Sequence, residues 1–231
     1  EDQRRAWLNG DWDVFAGQFF PEFRREVHVV RPFEIPDHWT RMCALDYGLD
    51  MLAVLWAAID ERGRGVVYRE LHESGLIISQ AAALIKPYLK DTAGIVYAPH
   101  DLWGRSADTG KSQAERFYEE GINLLRVKAM GRVDGWLSIK EWLATDAEGR
   151  PGLQIFDTCV NLAKNLPQLT HDDRNPNDVS INPHEITHAP DALRYLLAGR
   201  PIPARVPVTP QHFDFEVLKP KPSPVTSRTP P

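Results

Sequence analysis

The chain has 231 residues, 42% of them hydrophobic and 26% charged, the balance of an ordinary globular protein. The net charge is −5, so a protein that coats nucleic acid through a general excess of positive charge is excluded. An enzyme whose acids hold metal ions is not. No apolar run reaches the ~20 residues of a membrane helix. The first residues, EDQRRAWLNGDW, lack the apolar stretch of a secretory signal. Two cysteines, Cys43 and Cys159, make no disulfide framework, and a reducing cytosol is the simplest compartment.

Composition divides the chain into three zones. Residues 1–40 are rich in aromatics and charge but weakly patterned, and read as an arm or linker with some packed aromatics (Trp7, Trp12, Phe15, Phe19, Phe20, Phe23, Trp39). Residues 41–200 carry clear strand and helix patterns. Residues 201–231 are proline-rich and cannot bury a core; the stretch after about Leu218 is expected to be disordered.

In chain order, MCALDYG (42–48), LAVLWAAID (52–60) and VVYRELHE (66–73) read as three strands joined by short turns, an antiparallel meander. A helix over 79–90 follows, with Ser79 as its expected N-cap and Pro87 forcing a kink or an early end. GIVYAP (94–99) is a buried strand running into His100 and Asp101. A helix at 112–121 and a strand at 122–127 come next. An amphipathic helix at 134–145, a short strand at 153–157 and a helix at 158–166 complete the alternation. A polar loop at 170–183 leads to a last helix, 188–198, ended by Gly199. The expected architecture is α/β: three antiparallel strands followed by parallel ones, flanked by helices.

Three acids stand out by position. Asp46 lies inside an apolar strand, Asp101 just past the end of another, and Asp191 on the closing helix. A carboxylate among apolar residues is costly unless it is paired, hydrogen-bonded or on a metal. Acids from distant segments meeting at one sheet end would make a two-ion site, with Mg²⁺ or Mn²⁺ about 4 Å apart gripping a phosphodiester. His188 precedes Asp191 by three residues and shares its helix face, where it would ligate a metal, orient a water or neutralise a leaving group. Asp50, Asp108, Asp178 and Glu185 are lesser candidates. Each acid also has a plainer reading: a turn or cap for Asp46 and Asp101, dipole compensation for Asp191, a solvated loop for Asp172, Asp173 and Asp178. Spacing alone does not choose between these.

Four stretches taken in order do. WLNGDWDVFAGQFFPEF (7–23), ALDYGLD (44–50), IVYAPHD (95–101) and HEITHAPDALRY (184–195) resemble the C-terminal nuclease domain of the large terminase subunit of tailed bacteriophages. The resemblance spans about residues 1–200. It implies an RNase H-like fold and metal-dependent endonucleolytic cutting of concatemeric double-stranded DNA. It also implies a catalytic set of Asp46, Asp101, Asp191 and His188. Asp46 would bridge two Mg²⁺ or Mn²⁺ ions, with Asp101 and Asp191 holding one each. Asp101 follows Pro99 and His100, so its placement departs from the pattern, and Asp108 is the alternative. Lys128, Arg132, Arg105 and Lys111 are the expected phosphate contacts. No GxxxxGK[ST] loop is present, so the implied ATPase half is not in this sequence. Implied partners are double-stranded DNA, that ATPase domain, the small terminase subunit and the portal protein. The implied setting is the host-cell cytoplasm, at the procapsid during packaging. Rival readings are a resolvase or RNase H of the same fold, and a portal-docking module that cuts only with its ATPase half.

Overall fold

In a computed structural model of the chain, residues 17–48, 50–127 and 131–199 are described. Trp7, Trp12, Phe15, Lys128 and the proline-rich tail from 201 lie outside them. The expected meander is present as β2 (Thr40–Tyr47), β3 (Met51–Ile59) and β4 (Gly65–Ser74), after a short helix α1 (Arg25–His28) and a two-residue strand β1 (Val29–Val30). α2 (Ile78–Ile85) passes into a 3₁₀ turn at Lys86–Thr92, so Pro87 does end the α-helix early. Ser79 is not the cap. Ile77 holds that position, and Gln80 Oε1 accepts the Ile77 N–H at 3.1 Å. β5 (Ile95–Ala98), α3 (Gln113–Glu119), β6 (Asn123–Arg126), α4 (Arg132–Leu143), β7 (Leu153–Phe156), α5 (Val160–Asn165) and α6 (His188–Ala198) follow. α3 begins on a capping box: Ser112 Oγ accepts from the Glu115 N–H, and the Glu115 carboxylate from the Ser112 N–H.

The described strands form one sheet of order β1-β7-β4-β3-β2-β5-β6. β2, β3 and β4 pair antiparallel; β5 adds parallel to β2 and β6 parallel to β5. On the other side β7 adds parallel to β4 and β1 parallel to β7. The C-terminal ends of β2, β5 and β6 therefore share one sheet edge.

Side chains alternate across a strand, and this decides where Asp46 points. On β2, Met42 and Ala44 face a core built with Trp136 and Ile139 of α4, Leu162 of α5, and Leu193 and Leu196 of α6. Cys43, Leu45 and Tyr47 face the opposite core, with Ile78, Ala82 and Ile85 of α2 and Phe117 of α3. Both β2 and β3 are covered on both faces, which is why they read as continuous apolar runs. Asp46 belongs to the even set and faces α6. Burying Leu193 and Leu196 of that helix stabilises the fold by about 2 kcal/mol each. Gly199 ends α6 against β5, where a Cβ would lie 2.5 Å from the Tyr97 ring. It is required for space, not for a left-handed backbone.

The described part of the aromatic arm is not detached. Phe19, Phe20 and Phe23 are buried in the α6-side core, and Lys140 Nζ donates to Phe19 O at 2.6 Å. Among the described residues no helix is long and apolar enough to cross a membrane.

Candidate metal centre

Asp46 sits at the C-terminal end of β2, opposite Ala53 of β3. The small Ala53 leaves room above the sheet, and the first turn of α6 lies over these strands. His188, the first residue of α6, brings Nδ1 to 2.9 Å from Asp46 Oδ2. Pro190 is tolerated in the first turn of the helix because its missing N–H has no intrahelical partner at that position. His188 is 5% exposed and Asp46 19% exposed, so the bond is largely shielded from water. Burial opposes charge on His188. The hydrogen bond and charge of Asp46, then the charges of Asp50 and Asp191, prevail and hold the imidazole pKa above its ordinary value.

Asp191 lies one turn along the same helix. Arg194 donates to its Oδ1 twice, from Nε at 3.0 Å and from Nη2 at 2.7 Å, and Nη2 also donates to the Tyr195 hydroxyl at 2.8 Å. Both bonds to the carboxylate fall on Oδ1, which leaves Oδ2 for another partner. Burial pushes the Asp191 pKa up, Arg194 pulls against it, and Asp46 pushes in the same direction as burial. Arg194 lies in a slot that a side chain at Gly135 would fill, because a Cβ there would fall 2.5 Å from its methylenes. Its guanidinium stacks over Trp136 and Tyr195, 5.2 and 4.4 Å from the ring centroids.

Asp101 occupies the exposed turn His100–Trp103 that follows β5. Its charge acts on the Tyr195 phenol, as do those of the other two acids. Burial raises the phenol pKa, Arg194 opposes this, and Asp191, Asp46 and Asp101 all raise it further. Of the three acids singled out in the sequence, Asp191 acts on that hydroxyl most and Asp101 least. Hard carboxylate oxygens balanced by one fixed cation, Arg194, make a donor set suited to Mg²⁺ or Mn²⁺.

Asp50, a lesser candidate in the sequence, is drawn into the cluster. It ends the β2–β3 turn, and its Oδ2 lies 3.3 Å from His188 Nε2 and 3.1 Å from His184 Nδ1. Desolvation works against its ionisation, but its own backbone amide and the two imidazoles bring its pKa below the usual value. His184 was not singled out in the sequence. Its signal was the spacing of four to His188, hidden at the end of a polar loop.

The remaining candidates are elsewhere or otherwise engaged. Asp178 is structural: its Oδ1 accepts from Arg132 Nη1, Trp136 Nε1 and the Val179 N–H. Arg132, an expected phosphate contact, is held by that carboxylate. Arg105 pairs with Glu115 at 3.4 Å, and Lys111 with Glu119, both on the exposed side of α3. Asp108 is exposed in the turn between them, and Glu185 is exposed beside His184. Asp172 accepts the backbone N–H groups of Arg174 and Asn175 and closes its own turn. Cys43 is fully buried, as expected of a small apolar residue.

Neither a family model nor a curated protein sequence matches the chain. Solved structures do. The P22 large terminase nuclease domain superposes with a TM-score of 0.64 at 21% identity, over 78% of this chain and 90% of that one. The fold is that of a large-terminase nuclease domain. A large terminase from a thermophilic bacteriophage, in complex with ADP, matches with a TM-score of 0.63 at 16% identity. That match covers 79% of this chain but 44% of the longer ADP-bound protein. The large terminase nuclease from the thermophilic phage G20c with bound cobalt gives 0.57 at 13% identity, over 80% of this chain and 99% of that one. In this terminase-nuclease fold, β2, β5 and α6 bring Asp46, Asp101 and Asp191 to one end of the sheet.

Proposed function

We propose that this chain is the nuclease of a viral genome-packaging terminase, cutting double-stranded DNA by metal-assisted phosphodiester hydrolysis. The observation that carries the reading is the likeness of the fold to large-terminase nuclease domains, with Asp46 and Asp101 at the neighbouring ends of β2 and β5 and Asp191 on the helix that covers β2. The G20c nuclease, of the same fold, has been solved with bound cobalt and with bound magnesium. Asp46, Asp101 and Asp191 would hold the ions, Asp46 between two of them. When bound, such ions lower the pKa of a water and stabilise negative charge on the phosphate.

The chain's own residues do the rest. Asp191 offers Oδ2 while Arg194 fixes the carboxylate through Oδ1. His188 holds Asp46 in one rotamer through Nδ1. The buried wall of α6 excludes water from one side of the acids, which strengthens every charge interaction there. Asp101, exposed at the rim, is where a strand of DNA would be met. Arg105 and Lys111 follow it before α3 and would exchange their exposed pairs with Glu115 and Glu119 for phosphate, the proposed contacts. The match to less than half of the ADP-bound phage terminase, and that nucleotide itself, support an ATPase domain as partner. The small subunit, the portal and a place of action at the procapsid belong to the same proposal.

Plasmid DNA incubated with the chain and Mn²⁺ or Mg²⁺ tests the reading. Asp46→Asn, Asp101→Asn and Asp191→Asn should each abolish cutting, EDTA should do the same, and Asp108→Asn should cut normally. Cutting that survives in EDTA or in Asp46→Asn refutes the proposal. A preference for RNA–DNA hybrids or four-way junctions over plain duplex would assign a different enzyme of this fold.

A further inference from the structure

Asp50, His184 and His188 each place one ligand atom so that all three lie within 4.8 Å of one another. Asp50 comes from the β2–β3 turn; His184 and His188 are four residues apart and stack edge to face, centroids 4.5 Å apart. His188 is oriented from behind. In the neutral ring, the bond from Nδ1 to Asp46 places the proton on Nδ1 and leaves a lone pair on Nε2. That Nε2 is buried in a side chain only 5% exposed and makes no hydrogen bond, although it lies 3.3 Å from Asp50 Oδ2. A buried polar atom without a partner is costly, and this one is aimed at a carboxylate and a second imidazole. A carboxylate behind an imidazole whose other nitrogen is free is the arrangement that orients a metal-bound histidine.

We propose that Asp50, His184 and His188 hold a divalent transition-metal ion, at a site with its own three ligands that adjoins the Asp46, Asp101 and Asp191 carboxylates through the His188–Asp46 hydrogen bond. Two imidazoles and one carboxylate suit Zn²⁺ or Co²⁺. They suit Mg²⁺ poorly, because it prefers oxygen and gives up water reluctantly. Three protein ligands leave a coordination position open, and the exposure of Asp50 and His184 turns it toward solvent. Gly48 is part of the site: a Cβ there would fall 2.4 Å from Asp50 Oδ1 and displace the carboxylate. The inference does not depend on DNA cutting; Asp46 enters it as the residue that positions His188.

The test is titration of the EDTA-treated full chain with Co²⁺, read by visible absorption, with Zn²⁺ and Mg²⁺ as competitors. A Co²⁺ spectrum of imidazole type should appear and be displaced by Zn²⁺ but not by Mg²⁺. His184→Ala and Asp50→Asn, both at exposed positions, should each weaken Co²⁺ binding by about tenfold or more. Asp101→Asn should leave it unchanged. No Co²⁺ spectrum in the folded wild-type chain overturns the proposal. So does Co²⁺ binding that ignores His184→Ala and Asp50→Asn but is lost in Asp101→Asn. Either failure, with plasmid cutting intact, leaves the nuclease reading standing. A Co²⁺ site that behaves as expected in a chain that cuts nothing leaves this inference standing alone.

Discussion

Methionine at position 194 would keep the apolar length that lies against Trp136 and remove the charge. Arg194 donates twice to Asp191 Oδ1, at 3.0 and 2.7 Å, and the two side chains are 10% and 15% exposed. At that depth solvent screening is weak. Burial already raises the Asp191 pKa, Arg194 is the group opposing it, and Asp46 adds repulsion. Removing one partner of a buried pair costs ~3–5 kcal/mol; because Asp191 can take up a proton, we place Arg194→Met at the lower end, about 3 kcal/mol. For a chain of this size that lowers the melting temperature by about 6–12 °C. The assay is thermal and urea unfolding in EDTA of Arg194→Met, Asp191→Asn and the double variant. The double variant should be more stable than the sum of the single losses by at least about 1 kcal/mol. The Arg194→Met deficit should also shrink on acidification. Without Arg194 the folded-state pKa of Asp191 rises further above its unfolded value, so the folded protein takes up the proton first as pH falls and regains stability. A fall in melting temperature under about 2 °C, or single losses that simply add, would refute the idea that Arg194 is the counter-charge of the site.

Two further outcomes follow from the geometry. Asp178→Ala leaves the fully buried Trp136 with an unsatisfied indole N–H and frees Arg132, at a cost of about 1–3 kcal/mol. Asp178→Asn keeps an acceptor oxygen and should lose less, both read by urea unfolding with tryptophan fluorescence. In EDTA, stability should also depend on His188. Its pKa is held above the ordinary imidazole value by Asp46, Asp50 and Asp191 against the effect of burial. The folded chain therefore binds that proton more tightly than the unfolded one. The contribution is full below about pH 6.5 and is lost as pH rises through the raised folded-state value. His188→Asn should flatten that decline, and an unchanged pH profile would count against the Asp46–His188 bond.

Much of the sheet was legible because burial on both faces leaves a simple mark. β3 is MLAVLWAAI, a nine-residue run between turn residues, which fits a central strand covered on both faces. Pro87 and Gly199 are local chemistry and mark boundaries that the structure keeps. Ser79 was misread because a serine inside the first turn resembles a cap, while Gln80 reaching back to Ile77 does that work. α1 and β1 are too short to leave a periodicity. In the site, Asp46 was legible as a charge inside an apolar run, and Asp191 as an acid on the helix that must cover it. Arg194 was not, because an arginine on an amphipathic helix ordinarily reaches solvent. It turns inward here because Gly135, distant in the sequence, leaves the slot it occupies. No local pattern records that pairing. His184 and Asp50 were obscured in the same way, each unremarkable in its own turn and informative once β2 and α6 meet.

The counter-charges of the site are not equivalent, and this shapes how the acids coexist. Arg194 cannot lose its proton in the physiological range, so its hold on Asp191 Oδ1 is constant. His188 can, and it stands between Asp46 and Asp50, the two acids that come from one strand and its following turn. Nδ1 is hydrogen-bonded to Asp46, while Nε2 lies 3.3 Å from Asp50 Oδ2 without a hydrogen bond. As pH rises the ring keeps its Nδ1 proton on Asp46, because that contact is the shorter and is the hydrogen bond of the two, and gives up the one on Nε2. Asp50 then loses a nearby positive charge while Asp46 keeps its hydrogen bond. The half of the cluster anchored in the sheet is therefore the shielded one, and Asp50 with His184 forms the half at the solvent rim. Placing the exposed acid on a turn and the shielded one inside a strand follows from the same fact that made Asp46 visible in the sequence. A carboxylate buried in a central strand is tolerated only where its hydrogen bond does not fail.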